Sequence, residues 1–230
     1  MKVVAFVPCK GYSTRVPNKN TRLLDGKPLF LHTIEKLLYE CPFIDEVVLD
    51  SESDAVFQMA EHLENNVRFS KMRRDVELAS NETDGNTLFM NEVAHTDAEV
   101  YIQVLCTSPF ILPASIHRGL RVVMEQPYDS VCAVKVEKQY TWTTTGPTYD
   151  VRNIPNSVDL PDTIIETMGL YIIKREAALS CRRRIGNSPF HLKVTAEESI
   201  DDINYEDDFA LAINIAASYR AAERTRLEFI

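Results

Sequence analysis

A short apolar strand that runs straight into a polar, cationic turn constrains this chain more than any other feature. Val3 to Val7 is continuously apolar, and Pro8-Cys9-Lys10-Gly11-Tyr12-Ser13-Thr14-Arg15-Val16-Pro17-Asn18-Lys19-Asn20 follows at once. Such a run reads as a buried strand whose end delivers a glycine, aliphatic hydroxyls and three cations, Lys10, Arg15 and Lys19, within about a dozen residues. A loop of this composition suits a polyphosphate. Gly11 would let the backbone approach the anion, and the cations would offset its charge. The stretch has neither the GxxxxGK[ST] of a P-loop nor the GxGxxG of a dinucleotide site, so both are excluded. Taken alone, a short basic loop is more often a solvated surface turn; matches further along the chain reverse that balance.

The elements alternate. After the first strand, Phe30 to Tyr39 places Leu31, Ile34, Leu37 and Leu38 at helical spacing, and Glu46 to Leu49 returns to strand character. Asp54 to Leu63 reads as helix, Val67 to Phe69 as a short strand, Asn86 to Ala94 as helix and Val100 to Val104 as the next buried strand. Pro113 to Glu125 and Ser130 to Val136 continue as helix and strand, and Asp207 to Arg224 is a C-terminal helix. Alternation of this kind predicts an α/β three-layer sandwich with a mostly parallel sheet. Ligands of such sheets bind at the carboxyl ends of the strands, here the first loop, Cys106 to Phe110 and Ala133 to Lys138.

Length and charge bound the rest. With 230 residues, 45% of them apolar, the chain is expected to form one domain over 1–230. A net charge of −9 argues against a nucleic-acid or anionic-membrane surface while leaving small anionic ligands allowed. Cys9, Cys41, Cys106, Cys132 and Cys181 are odd in number and widely spaced, which suggests neither a disulfide framework nor a zinc site and fits a reducing cytoplasm. The apolar run before Pro8 is too short for a signal peptide or a membrane span. Cys106 is read as a small buried hydrophobe rather than a nucleophile, and the five histidines as structural.

The first loop, with Gly26-Lys27-Pro28-Leu29 after it, resembles the N-terminal signature of the acylneuraminate cytidylyltransferases, which activate sialic acids and related 2-keto sugar acids as CMP-sugars. Arg74-Asp75-Val76-Glu77-Leu78-Ala79, Cys106-Thr107-Ser108-Pro109, Glu166-Thr167-Met168-Gly169-Leu170-Tyr171-Ile172 and Ile200-Asp201-Asp202-Ile203-Asn204 follow in the family's order. The resemblance implies a nucleotide-diphospho-sugar transferase-like fold and CMP transfer from CTP to a sugar acid of the sialic, legionaminic or pseudaminic type. It carries nucleotide-binding roles to Pro8, Lys10, Gly11, Ser13, Arg15 and Lys19, and base or ribose contacts to Arg74, Asn81 and Thr83. For Asn81 and Thr83, capping of the following helix is an equal alternative. Lys10, Arg15, Lys19 and Asp202 are the implied catalytic set.

Sugar-acid contacts are expected from Gln103, Thr107, Ser108 and Lys135, with Lys138 and Arg152 as other candidate anchors for its carboxylate. Asp202 and Asn204, two apart on an extended segment, are the expected ligands of Mg²⁺, or Mn²⁺, shared with the triphosphate. The family has a second aspartate where Asn204 stands; Asp201 or Asp208 is an alternative oxygen source, and capping of the C-terminal helix is the alternative role for Asp208. Tyr12, Thr14, Lys10 and Leu105 also depart from the family pattern. The loop-rich segment from Thr141 to Pro161, within 137–166, is expected to project as a dimerisation and substrate arm, making the protein a homodimer. Two other readings remain. One is a different sugar nucleotidyltransferase or a glycosyltransferase of the same fold, and the other a catalytically degenerate binding subunit.

Overall fold

The computed structural model describes residues 1–199 and 202–228, the stretch 220–228 by backbone alone. Seven strands form the central sheet: β1 (Val3–Pro8), β2 (Glu46–Ser51), β3 (Phe69–Arg73), β4 (Val100–Val104), β5 (Ser130–Glu137), β6 (Thr163–Lys174) and β7 (Pro189–Lys193). Their order is β7-β5-β6-β4-β1-β2-β3. Every pairing is parallel except those of β6, which runs antiparallel to both β4 and β5. All six residues of β1 are buried, as expected of a strand covered on both faces, and this is why its sequence is continuously apolar rather than alternating.

Helices α1 (Leu29–Glu40), α2 (Asp54–Met59), α3 (Gly85–Ala94), α4 (Pro113–Glu125), α5 (Arg175–Cys181) and α6 (Glu206–Glu228) complete the fold. One face of the sheet packs Val3, Ala5 and Val7 with Phe30, Ile34, Leu37, Ile116 and Val123 from α1 and α4. The other packs Val4 and Phe6 with Phe89 and Val93 of α3 and Ala178 of α5. Alternate residues of β1 thus feed opposite cores, giving the three layers. Phe6 lies at the centre of the second core, stacked on Tyr101 at 5.7 Å and edge-on to Phe89 at 6.3 Å. Each such pair contributes about 1 kcal/mol beyond area burial.

Two local expectations are corrected. The edge strand runs from Phe69 to Arg73 rather than Val67 to Phe69; Val67 is 100% exposed, and only Met72 of the strand is buried. The helix expected over Asp54 to Leu63 stops at Met59 and resumes as a 3₁₀ turn, Glu61–Leu63, after Ala60.

β4 lies on the opposite side of β1 from β2, so chain progression reverses between β1 and β4. That is the switch point at which open α/β sheets form their crevice. The stretch 138–162 leaves the sheet after Glu137 and returns at Thr163. It carries a small ribbon, Trp142–Thr143 paired with Gly146–Pro147, and Tyr149 packs edge-on to Tyr140 and Trp142. Trp142, Val151, Ile154 and Val158 are exposed on it.

Candidate functional site

A small apolar cluster builds the site by fastening two distant segments. Val16 of the first loop packs with Leu24, Leu29, Ile203, Phe209 and Ala212, so the loop after β1 and the segment before α6 are held together by burial. Asn18 takes the left-handed backbone (φ 54) that asparagine tolerates, and the turn carries Lys19 back toward the sheet. The Lys19 ammonium donates to the Ile203 carbonyl, while the Ile203 N–H donates to the Thr107 carbonyl at 3.1 Å. Burial pulls the Lys19 pKa below its ordinary value, opposed by the negative charge of Asp202. Three segments that are remote in sequence therefore meet at one lysine.

Two cavities lie at this junction. The first, about 240 Å³, sits at the carboxyl ends of β1 and β4. Of the residues expected from sequence, Pro8, Lys10, Ser13, Arg15, Lys19, Arg74, Asn81, Thr83 and Thr107 line it. The Lys10 ammonium donates to Asn81 Oδ1 at 2.9 Å, joining the first loop to the loop before α3. Thr83 Oγ1 donates to the Glu77 carbonyl. The α3 cap is Asp84, which accepts from the Asn86 and Thr87 N–H groups, so Asn81 and Thr83 are not spent on capping. The Arg15 guanidinium lies 5.8 Å from the Tyr205 ring centroid, between the two cavities. Cys106 lines the wall and its thiol donates to the Pro8 carbonyl at 3.4 Å.

The second cavity, about 310 Å³, is lined by Glu166, Thr167, Met168, Asp202, Asn204, Tyr205 and Asp208. With Ile203 buried in the apolar cluster, its neighbours Asp202 and Asn204 face this cavity. Asp208 accepts from the backbone N–H groups of Asn204 and Tyr205 at 2.8 and 2.7 Å, which makes it a cap of α6. Asp201 lies outside the described residues.

Asp202 Oδ1 and Asn204 Oδ1 are both buried without a hydrogen-bond partner. Two orphaned oxygens on alternate residues are a donor set for a hard divalent cation. Mg²⁺ characteristically takes one or two protein oxygens and completes its shell with phosphate and water. The residues present therefore fit Mg²⁺, and equally Mn²⁺. Among the described residues no trio of His, Cys, Asp or Glu side chains forms a metal cage.

Four expected residues stand elsewhere. Gly11 does not line the first cavity: its N–H donates to Glu52 Oε1 at 2.7 Å, and a Cβ there would fall 2.4 Å from Ser53 Cβ, so its missing side chain serves that packing. Gln103 is 1% exposed, with its amide donating to Glu92 Oε2 at 2.6 Å. Ser108 is buried against Gly169. Lys135 lies on β5, 3.7 Å from Glu137, and lines neither cavity.

A buried polar network was missed from sequence. Arg74 borders the first cavity, but its guanidinium binds Asp50 Oδ2 at 3.1 Å and Glu52 Oε2 at 3.0 and 3.2 Å. Glu92 of α3 is fully buried beside Asp50. A signal existed: Phe89, Glu92 and Val93 share one face of α3 by i, i+3, i+4 spacing, so an acid stood in an apolar stripe.

A profile of the cytidylyltransferase family matches residues 4–190. The chain is 29% identical over 127 residues to the CMP-N,N'-diacetyllegionaminic acid synthase of Legionella pneumophila, covering 53% of each chain. It is 24% identical over 128 residues to the 3-deoxy-manno-octulosonate cytidylyltransferase of Pelobacter propionicus, covering 55% of this chain and 46% of that one. The chain spans about half the length of the curated relatives it matches. Among solved structures, CMP:2-keto-3-deoxy-manno-octonic acid synthetase complexed with CTP superposes with a TM-score of 0.68 at 16% identity, over 95% of this chain and 100% of that one. That likeness bears out the expected nucleotide-diphospho-sugar transferase-like α/β fold.

Proposed function

The chain belongs to the cytidylyltransferase family, and from that premise we propose that it transfers CMP from CTP to the anomeric hydroxyl of a 2-keto sugar acid of the sialic, legionaminic or pseudaminic type. The observation that carries this reading is the junction at Lys19, where a cationic loop and two orphaned oxygens face adjoining cavities. CTP occupies the first cavity and the sugar acid approaches from the second.

The residues divide the work by chemistry. Lys10, Arg15 and Lys19 hold the triphosphate and offset the charge that grows on pyrophosphate as it leaves. Asn81 and Thr83 supply hydrogen bonds on the side of the cavity that receives ribose and base. The sugar hydroxyl attacks the α-phosphorus in line, the bond from the α-phosphorus to the bridging oxygen breaks, and the hydroxyl proton passes by way of a bound water to Asp202. No covalent enzyme intermediate is needed. Mg²⁺ or Mn²⁺ held by Asp202 and Asn204 would supply Lewis-acid charge at the phosphates. Thr107, whose carbonyl accepts from the Ile203 N–H, lines the first cavity beside the segment that carries Asp202 and Asn204.

The exposed Trp142, Ile154 and Val158 fit an arm that docks on a second copy of the chain, giving a homodimer. Among the described residues no helix is long and apolar enough to cross a membrane.

The test is pyrophosphate release from CTP with a panel of eight- and nine-carbon 2-keto sugar acids. Release with a nine-carbon acid supports the reading, and release only with 3-deoxy-manno-octulosonate assigns the octulosonate branch instead. CTP binding without release under any acceptor would make the chain a binding subunit.

A further inference from the structure

A carboxyl pair outside the proposed chemistry carries a second assignment. Asp50, near the end of β2, and Glu92, in the last turn of α3, are both 0% exposed. Their side chains lie within hydrogen-bond reach of each other. Asp50 Oδ2 accepts from Arg74, and Glu92 Oε2 accepts from Gln103. The remaining oxygens, Asp50 Oδ1 and Glu92 Oε1, are buried and unpartnered. Two adjacent carboxylates cannot satisfy each other, since each only accepts. A single proton between them satisfies both.

We infer that Glu92 is a neutral acid that donates its proton to Asp50, and that this buried relay positions Arg74 and the first loop for nucleotide binding. With the shared proton joining Glu92 to Asp50, the relay runs from Gln103 to Glu92, on to Asp50, from Asp50 to Arg74, from Arg74 to Glu52 and from Glu52 to the Gly11 N–H, the other four links being hydrogen bonds of the structure. It crosses from β4 to β2 over β1 and ends in the loop that carries Lys10. Glu92 is thus a positioning residue that acts through Arg74 and Glu52 without touching a ligand.

The charge balance agrees. One cation, Arg74, pairs with Asp50 and Glu52 and stands near Glu92, and on the far side the neutral amide of Gln103, which itself accepts from Arg184 at 3.4 Å, separates that second cation from Glu92. Arg74 offsets the fully buried Asp50, and Glu52, 12% exposed, keeps contact with solvent, so a second buried charge on Glu92 would have no cation of its own. Burial, and then the negative charge of Asp50, push the Glu92 pKa well above 4.5, while burial raises that of Asp50 against the pull of Arg74. A carboxyl whose pKa is raised on folding contributes stability that is full below its unfolded value of 4.5 and is lost as pH rises through the folded value. Glutamine reproduces the neutral acid, with an N–H for Asp50 and a carbonyl for Gln103, and does not titrate.

The experiment compares wild type with Glu92→Gln by thermal unfolding at several pH values between about 5 and 8, within the linkage window. The expected result is that Glu92→Gln gains stability relative to wild type steadily as pH rises. An infrared band of a protonated carboxyl at neutral pH should be present in wild type and missing in the variant. A stability difference that does not change with pH, or the absence of that band from wild type, overturns the assignment. The positioning role rests on the first cavity being the nucleotide site and is read separately, by CTP titration. There Glu92→Gln should bind within about twofold of wild type and Glu92→Ala at least about tenfold more weakly, because it leaves Asp50 Oδ1 and the Gln103 side-chain N–H without a partner. Tenfold weaker binding by a folded Glu92→Gln would make Glu92 a required anion and sink the inference. Failure of wild type itself to bind CTP would sink the proposed function, with the pH and infrared results unaffected.

Discussion

Lys19 and Ile203 stand 184 positions apart in sequence, and the ammonium of the first donates to the carbonyl of the second. That contact brings the cationic loop after β1 against the segment carrying Asp202 and Asn204. Val16 and Ile203, in one apolar cluster, hold the two segments in register from beneath.

Arg15→Ala and Lys19→Ala should each lower turnover by about 10²-fold or more, because each removes a preorganised cation from the site of charge development. Lys19→Ala has a second effect, since it frees the Ile203 carbonyl and should raise the metal concentration needed for half-maximal rate. Near-normal turnover in both variants would remove the first loop from the chemistry.

Glu52→Ala should weaken CTP binding more than it lowers the maximal rate, because Glu52 holds both the Gly11 N–H and the Arg74 guanidinium and lines neither cavity. Breaking one partner of a buried ion pair is costly, on the order of 3 kcal/mol, so unfolding midpoints must be measured beside KM and kcat. An unchanged KM with a fallen kcat would place Glu52 in the chemistry itself.

Much of this architecture was legible in the sequence, and what was not has physical causes. Val100–Val104 and Pro113–Glu125 have the ends that periodicity predicted, the strand being buried throughout and the helix burying Ile116, Leu120 and Val123 on one face. The edge strand Phe69–Arg73 was displaced because Ser70, Lys71 and Arg73 carry no apolar signal. β6 was not read as a strand: its pairing shifts between Glu166 and Tyr171, and Met168 there takes a left-handed backbone, φ 58. In the site, the cations of the first loop were readable because their neighbours in sequence are their neighbours in space. Asp50 and Glu52 were not, because Arg74, the residue that binds both, follows β3 more than twenty positions further along the chain.

At Asn204, a carboxylate in place of the amide keeps an oxygen where Oδ1 stands and adds charge. Asn204→Asp should therefore lower the Mg²⁺ concentration giving half-maximal activity, and Asp202→Asn should nearly abolish activity. Full metal-dependent turnover in Asp202→Asn would move the metal away from this cavity.

The arm predicts an assembly. Wild type should sediment as a dimer at micromolar concentration, and a double substitution, Trp142→Ser with Val158→Ser, should shift it toward monomer without changing its far-ultraviolet dichroism, since both side chains are exposed in the single chain. A monomeric wild type would refute the docking role.

Selectivity for the base is read by thermal shift. CTP with Mg²⁺ should raise the unfolding midpoint more than GTP at equal concentration, because a ligand stabilises in proportion to its differential affinity for the folded state. A larger shift with GTP would contradict cytidylyl transfer.

The central claim is tested most directly by phosphorus NMR of the protein incubated with CTP, Mg²⁺ and each 2-keto sugar acid in turn. The account predicts that the three CTP resonances give way to one phosphodiester signal of a CMP-sugar and the signal of pyrophosphate, in equal amounts, only when a sugar acid is present. Conversion of CTP to CDP and phosphate, or to CMP and pyrophosphate without any sugar acid, would contradict it.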